Sequence, residues 1–111
     1  MAKERDERLY LADLSAAIDR ILRYTTSGRE AFFEDSMIQD AVVRNLEIMG
    51  EAVKSLGEPV RTAHPEVPWR KIAGMRDRVI HGYFNVDLDI VWEVVEQELP
   101  KLRQQLTAML G

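Results

Sequence analysis

The sequence predicts an all-α fold, an antiparallel bundle of four or five helices in a single domain spanning residues 1–111. Three observations carry that expectation. Apolar residues recur at spacings of three and four along most of the 111 residues, the period of a helix with one buried face. No hairpin dipeptide separates alternating apolar and polar runs, and no segment repeats. Hydrophobic residues make up 46% and charged residues 31%, a globular balance at the length of one domain.

The first helix runs from about Glu7 to Tyr24, with Leu11, Leu14, Ile18 and Ile21 on one stripe and Leu22 beside it. Thr25-Thr26-Ser27-Gly28 ends it, two β-branched residues followed by a glycine. Residues 29–34 read as a loop or a short helical turn, with Phe32 and Phe33 packing over the end of the bundle. A long helix starts at Ser36, where Ser36 and Gln39 fit a capping box. Ile38, Val42, Leu46, Met49, Val53 and Leu56 form its core stripe, and Ala41, Ile48 and Ala52 a second apolar face. Gly50 within it costs about 1 kcal/mol relative to Ala, which a close helix crossing would explain. Gly57-Glu58-Pro59 is the stop.

Pro59, Pro65 and Pro68 then break the chain into short pieces, a crossover in which Pro59 and Pro68 each suit the start of a short helix. Arg70 to His81 reads as one helix, with Ile72, Met75, Val79 and Ile80 apolar, interrupted by Gly74 and ended by Gly82. Asp87 is an N-cap for the last helix, from about Leu88 to Met109. There Leu88, Val91, Val95, Leu99, Leu102, Leu106 and Met109 keep the helical spacing, and Pro100 should kink it. The bundle thus has three long helices and one shorter one.

Composition excludes several classes of function. Without cysteine there is no disulfide staple, thiol nucleophile, zinc finger or iron–sulfur cluster. No apolar run reaches the ~20 residues of a membrane helix. Residues 1–8 mix charges with no apolar region behind them, so a secretory signal is not expected. The expectation is a cytoplasmic protein that does not engage a membrane.

The net charge of −4 rules out a basic field over the whole molecule, but the charge is uneven. Residues 61–81 hold Arg61, Arg70, Lys71, Arg76 and Arg78 against Glu66 and Asp77, together with both histidines, His64 and His81. An acidic chain with one basic, histidine-bearing segment suggests a local anion site. The plain alternative is a solvated loop and helix end.

Within that segment, Arg76-Asp77-Arg78-Val79-Ile80-His81-Gly82-Tyr83 combines a fixed cation, a group that titrates near neutral pH and a phenol. On an ideal helix Arg76 and His81, five residues apart, lie about 140° apart in azimuth and do not share a face. Asp77 and His81, four apart, do share one, so Asp77 could support the imidazole. Arg76 joins His81 only if the helix unwinds near Gly82 or if a second subunit completes the site. The two-faced second helix with its Gly50 likewise suggests a homodimer. Against a catalytic reading stand simpler roles: His81 complementing a helix C-terminus, Asp77–His81 as an ordinary pair, Tyr83 packing over a loop.

Other chemistries fit less well. His64 and His81 stand 17 residues apart without a carboxylate pattern, so no metal site is expected. Glu47 and Glu51 have the spacing of carboxylate metal bundles, but the Glu-x-x-His motif is missing, which leaves them solvated or paired. No phosphate-cradling glycine loop or Gly-x-Ser-x-Gly elbow occurs.

At Arg76…His81-Gly82-Tyr83 the chain resembles the HepT-like toxins of the HEPN superfamily, small all-α proteins whose motif is Arg, four residues, His, any residue, Tyr. Asp77 matches the polar residue that tends to follow the Arg. The resemblance extends over roughly residues 8–108, including Asp40–Lys54, similar to the family's second long helix, and His64-Pro65-Glu66-Val67-Pro68-Trp69, similar to its crossover. It implies a HEPN-like homodimer with a metal-independent ribonuclease site, Arg76 and His81 being catalytic and no cofactor needed. It also implies a cognate antitoxin, a minimal nucleotidyltransferase, that transfers AMP to Tyr83. RNA phosphates would then face Arg70, Lys71 and Arg78. The competing expectations are a non-catalytic, nucleotide-binding accessory subunit of a nucleotidyltransferase and a purely structural oligomerisation bundle.

Overall fold

In the computed structural model, which describes residues 6–82 and 85–110, the Asp6 carboxylate caps the first helix by accepting from the Arg8 N–H. Helix α1 spans Glu7–Tyr24, as its stripe predicts. It ends where Thr25 Oγ1 turns back to donate to the Ile21 carbonyl at 2.8 Å. Gly28, at φ +95°, reverses the chain into α2, Arg29–Glu34. Phe32 is fully buried there, edge-on to Phe33 at 5.1 Å and tilted against Trp92 at 5.4 Å.

Helix α3, Ser36–Lys54, begins where expected but is capped differently. Asp35, not Ser36, is the N-cap, and its carboxylate accepts from the Met37 N–H at 2.9 Å. Aspartate caps as well as serine and here stands one residue earlier, on extended backbone. Gln39 is not part of a capping box: its amide donates to the Phe32 and Phe33 carbonyls at 3.0 and 3.2 Å, tying α2 to α3.

Helix α3 packs chiefly on α1, and so does the C-terminal helix α8, Leu99–Leu110. Leu14, Ile18, Ile21, Val42, Leu46, Met49, Val53, Leu99 and Leu106 are closed to solvent in one core. Gly50 has its reason within the chain. A Cβ there would meet the Ile72 and Ala73 carbonyl oxygens at 3.3 Å, so the end of α5 (Trp69–Ala73) crosses α3 at this point. The proline crossover holds α4, Glu58–Ala63, and is fastened at both ends. The Gly57 N–H donates to Glu7 Oε1 at 2.8 Å, and Trp69 Nε1 to the His64 carbonyl at 2.9 Å.

One expectation is corrected here. The stretch from Arg70 to His81 is interrupted at Gly74, as expected, but is not helical as far as His81. It breaks at Gly74 into α5 and α6, Met75–Val79, and then leaves helical geometry. Ile80–His81 (β1) pairs antiparallel with Asn85–Val86 (β2), Ile80 opposite Val86 and His81 opposite Asn85. Gly82, at φ +78°, supplies the left-handed backbone that starts the reversal.

The last helix departs from α geometry just before Pro100. Helix α7 (Leu88–Glu93) runs through a π-helical turn (Val94–Glu98) into α8 (Leu99–Leu110). The Leu99 N–H reaches back five residues to the Val94 carbonyl. This wider turn lies directly before Pro100, which lacks an N–H and whose ring would crowd the carbonyl four residues back. Among the described residues, no helix is long and apolar enough to cross a membrane.

Candidate active site

Helix α6 presents Arg76 and Asp77 to solvent, with Arg78 half-buried, because Met75 and Val79 are buried beneath it. The Arg76 guanidinium is exposed and donates its Nε–H to Glu47 Oε2 on α3 at 3.1 Å. The two terminal nitrogens of the fork have no partner among the described residues, so they remain open to an anion. Beside them lies an open groove of about 470 Å³ lined by Arg44, Glu47, Glu51, Lys54 and Arg76.

His81 sits on β1 rather than on a helix, which removes the basis for pairing it with Asp77. The carboxylate that faces it is Asp87, whose Oδ2 lies 3.8 Å from His81 Nε2. Asp77 is exposed on α6 with no ion-pair partner among the described residues. The i,i+4 geometry fails because the helix ends at Val79. Asp87 is placed by two independent contacts: its backbone N–H donates to the Val79 carbonyl at 2.7 Å, and its Oδ1 accepts from the Ile90 N–H at 3.1 Å as the cap of α7.

The basic segment is less basic in space than along the chain. Arg78 makes a two-pronged contact with Glu98, at 3.0 and 2.8 Å, and Lys71 stands 3.7 Å from the same carboxylate. That hydrogen-bonded pairing holds the Glu98 carboxyl below its ordinary range and raises Arg78, outweighing the desolvation that opposes both. Arg78 is therefore not the open cation that the sequence suggests, and Lys71 is partly engaged. Arg61 lies 4.0 Å from Glu58, and His64 3.6 Å from Glu66. Arg70 is exposed and has no ion-pair partner among the described residues.

The two motif residues thus rest on different elements, Arg76 on α3 and His81 on the start of α7. The structure pairs neither with the other. Tyr83 lies outside the described residues. Glu47 was legible only as one of two solvated or paired acids, and Glu98 not at all. Asp87 was visible as a cap, but its second role depends on the hairpin that brings it back to His81. Among the described residues no three His, Asp or Glu side chains converge as a metal set would.

Comparison with known proteins shows the family. A family model described as "Ribonuclease HepT-like" matches residues 14–109. A protein of Thermococcus cleftensis named "Probable ribonuclease HepT" is 42% identical over 104 residues, 90% of this chain and 92% of its own length. A Methanocaldococcus jannaschii protein whose name joins gamma-glutamylcyclotransferase to a provisional RNase assignment is 39% identical over 107 residues. The match covers 96% of this chain but only 48% of that longer relative, so the chain spans about half its length. A Caldanaerobacter subterraneus protein, also provisionally named an RNase, is 48% identical over 81 residues, 73% of this chain and 72% of its own length. No solved structure matches significantly. With the family model covering most of its length and a helical bundle carrying the motif, the chain belongs to the HepT-like ribonuclease family.

Proposed function

We propose that the chain is the toxin of a HepT-type toxin–antitoxin pair, an endoribonuclease that needs no metal ion and uses Arg76 and His81 as catalytic residues. The observation that carries this reading is the complete Arg76…His81-Gly82-Tyr83 motif in a HepT-like chain, with both catalytic side chains open to solvent. The ribose 2′-hydroxyl attacks the adjacent phosphorus. The O2′–P bond forms and the P–O5′ bond breaks, leaving a 2′,3′-cyclic phosphate and a 5′-hydroxyl. His81 takes the 2′-hydroxyl proton and passes one to the departing 5′-oxygen. The terminal nitrogens of Arg76 stabilise the charge that builds on the phosphate, and Arg70 meets the RNA backbone alongside.

The site is completed by a second copy of the chain. Arg76 leans towards α3 and His81 towards α7 within one chain, so a homodimer that apposes Arg76 to His81 of the partner subunit supplies the missing proximity. The half-buried Ala41 and Ile48 on α3 suit such an interface. A minimal nucleotidyltransferase antitoxin silences the enzyme: the Tyr83 oxygen bonds to the α-phosphorus of ATP and pyrophosphate leaves. The attached phosphodiester then repels RNA phosphates and competes for Arg76.

Incubating the purified chain with RNA in EDTA tests the reading. Cleavage to cyclic-phosphate ends that His81→Ala abolishes is the expected result. No cleavage, together with nucleotide binding in the groove beside Arg76, points instead to an accessory subunit. Co-expression with a minimal nucleotidyltransferase antitoxin should add AMP to the wild type on Tyr83, and Tyr83→Phe should escape inactivation.

A further inference from the structure

Asp87 carries more contacts than its position requires. Its backbone N–H closes the base of the hairpin on the Val79 carbonyl, and its Oδ1 caps α7 at the Ile90 N–H. Neither task needs a charge. The first uses the main chain, and Asn or Ser would serve the second as well. The remaining oxygen, Oδ2, faces His81 Nε2 at 3.8 Å. The charged groups on neighbouring α6 are engaged elsewhere or turned outward: Arg76 goes to Glu47, Arg78 to Glu98, and Asp77 lies exposed. Opposite His81 on β2 is Asn85, which carries no charge. Asp87 thus carries the one carboxylate within 4.0 Å of His81 among the described residues.

We propose that Asp87 is the positioning residue for His81, holding the imidazole by its Nε2 edge so that Nδ1 is presented to the reacting ribose and phosphate. This rests on the ribonuclease reading above and adds to it the orientation and the tautomer of the acid–base group. A carboxylate on one ring nitrogen keeps the proton there, and the other nitrogen is then the one that accepts and returns a proton. The contact is an ion-pair distance, longer than a hydrogen bond, and acts on the ring through the charge of the carboxylate. The cap holds Oδ1 and so restrains the carboxylate beside His81. The start of α7 is thereby the element that orients the ring.

The test is Asp87→Asn in the full chain, with Asp89→Asn, in the same helical turn, as control. Asparagine keeps the cap and loses the anion, so the melting temperature should hold while kcat for RNA cleavage falls about 10–100-fold with KM unchanged. Asp87→Glu should recover kcat while weakening the cap, the opposite of what a purely structural role predicts. Side-chain nitrogen NMR of His81 gives a reading independent of turnover: the Nε2-bound proton of the wild type should redistribute towards Nδ1 in Asp87→Asn. If Asp87→Asn does not fold, Asp87→Ser supplies the cap without the carboxylate. Wild-type kcat and an unchanged His81 tautomer in the variant overturn the proposal. If the wild type itself leaves RNA intact, the ribonuclease reading has failed, and the tautomer comparison still decides whether Asp87 holds His81.

Discussion

Leu14, Ile18, Met49 and Leu106 are shut off from solvent in the helical frame, while Arg76, Asp77, His81 and Gly82, on the short segment the frame supports, all lie exposed. The frame is held by non-directional burial spread over many side chains. The segment is held by a few directional contacts that reach it from elsewhere: Glu47 to Arg76, Glu98 to Arg78, and Asp87 to both Val79 and His81. Substitutions in the frame should therefore register as stability, and those in the segment as chemistry.

The largest expected effect separates the two regions outright. Arg76→Ala or His81→Ala should each lower RNA cleavage by about 10²–10⁴-fold with no loss of melting temperature, because both side chains are exposed. Full toxicity in cells expressing His81→Ala would sink the assignment. The converse is Leu46→Ala, which opens a cavity in the fully buried core of α3 and should cost about 2–5 kcal/mol in denaturant unfolding. Its residual folded fraction should cleave RNA at the wild-type rate.

The frame was the legible part. A stripe of apolar residues at helical spacing reports burial directly, so α1 and α3 lie where Leu11 to Ile21 and Val42 to Val53 place them. Small errors there were local, as with Asp35 taking the cap from Ser36. In the motif segment the governing contacts are distant in sequence. Glu98 reaches Arg78 across 20 residues, and Glu47 reaches Arg76 across 29. A two-residue ladder has too short a period to stand out, and the closure from Asp87 to Val79 that extends the pairing of β1 and β2 is a backbone contact that no side-chain pattern marks. The net positive charge of residues 61–81 was likewise real along the chain, yet acids from α3 and the π-helical turn offset much of it in space.

Smaller effects sharpen the contrast within the segment. Glu98→Gln should cost about 1–2 kcal/mol by leaving Arg78 without its charged partner. Since the folded chain holds the Glu98 carboxyl below its unfolded range, the unfolded chain binds more protons near pH 4. The pair's stabilisation is thus complete above that range and is lost as pH falls through the lowered folded value. Melting curves from pH 7 down to about 3 should show the wild type and Glu98→Gln converging at the acid end. Gly82→Ala is smaller still. Among the described residues nothing crowds a Cβ there, so the positive φ carries the strain, at roughly 1 kcal/mol, and the frame should not notice.

Whether Arg76 and His81 act across two copies of the chain is decided by subunit exchange. Arg76→Ala and His81→Ala, each inactive alone, are mixed under conditions that exchange subunits. A mixed dimer then holds one site in which the Arg76 of one copy and the His81 of the other are both intact. RNA cleavage in EDTA should reappear in the mixture, approaching a quarter of wild-type activity if exchange is random and each site acts alone. A mixture as inactive as its two components, with exchange confirmed by mass, would contradict the shared site.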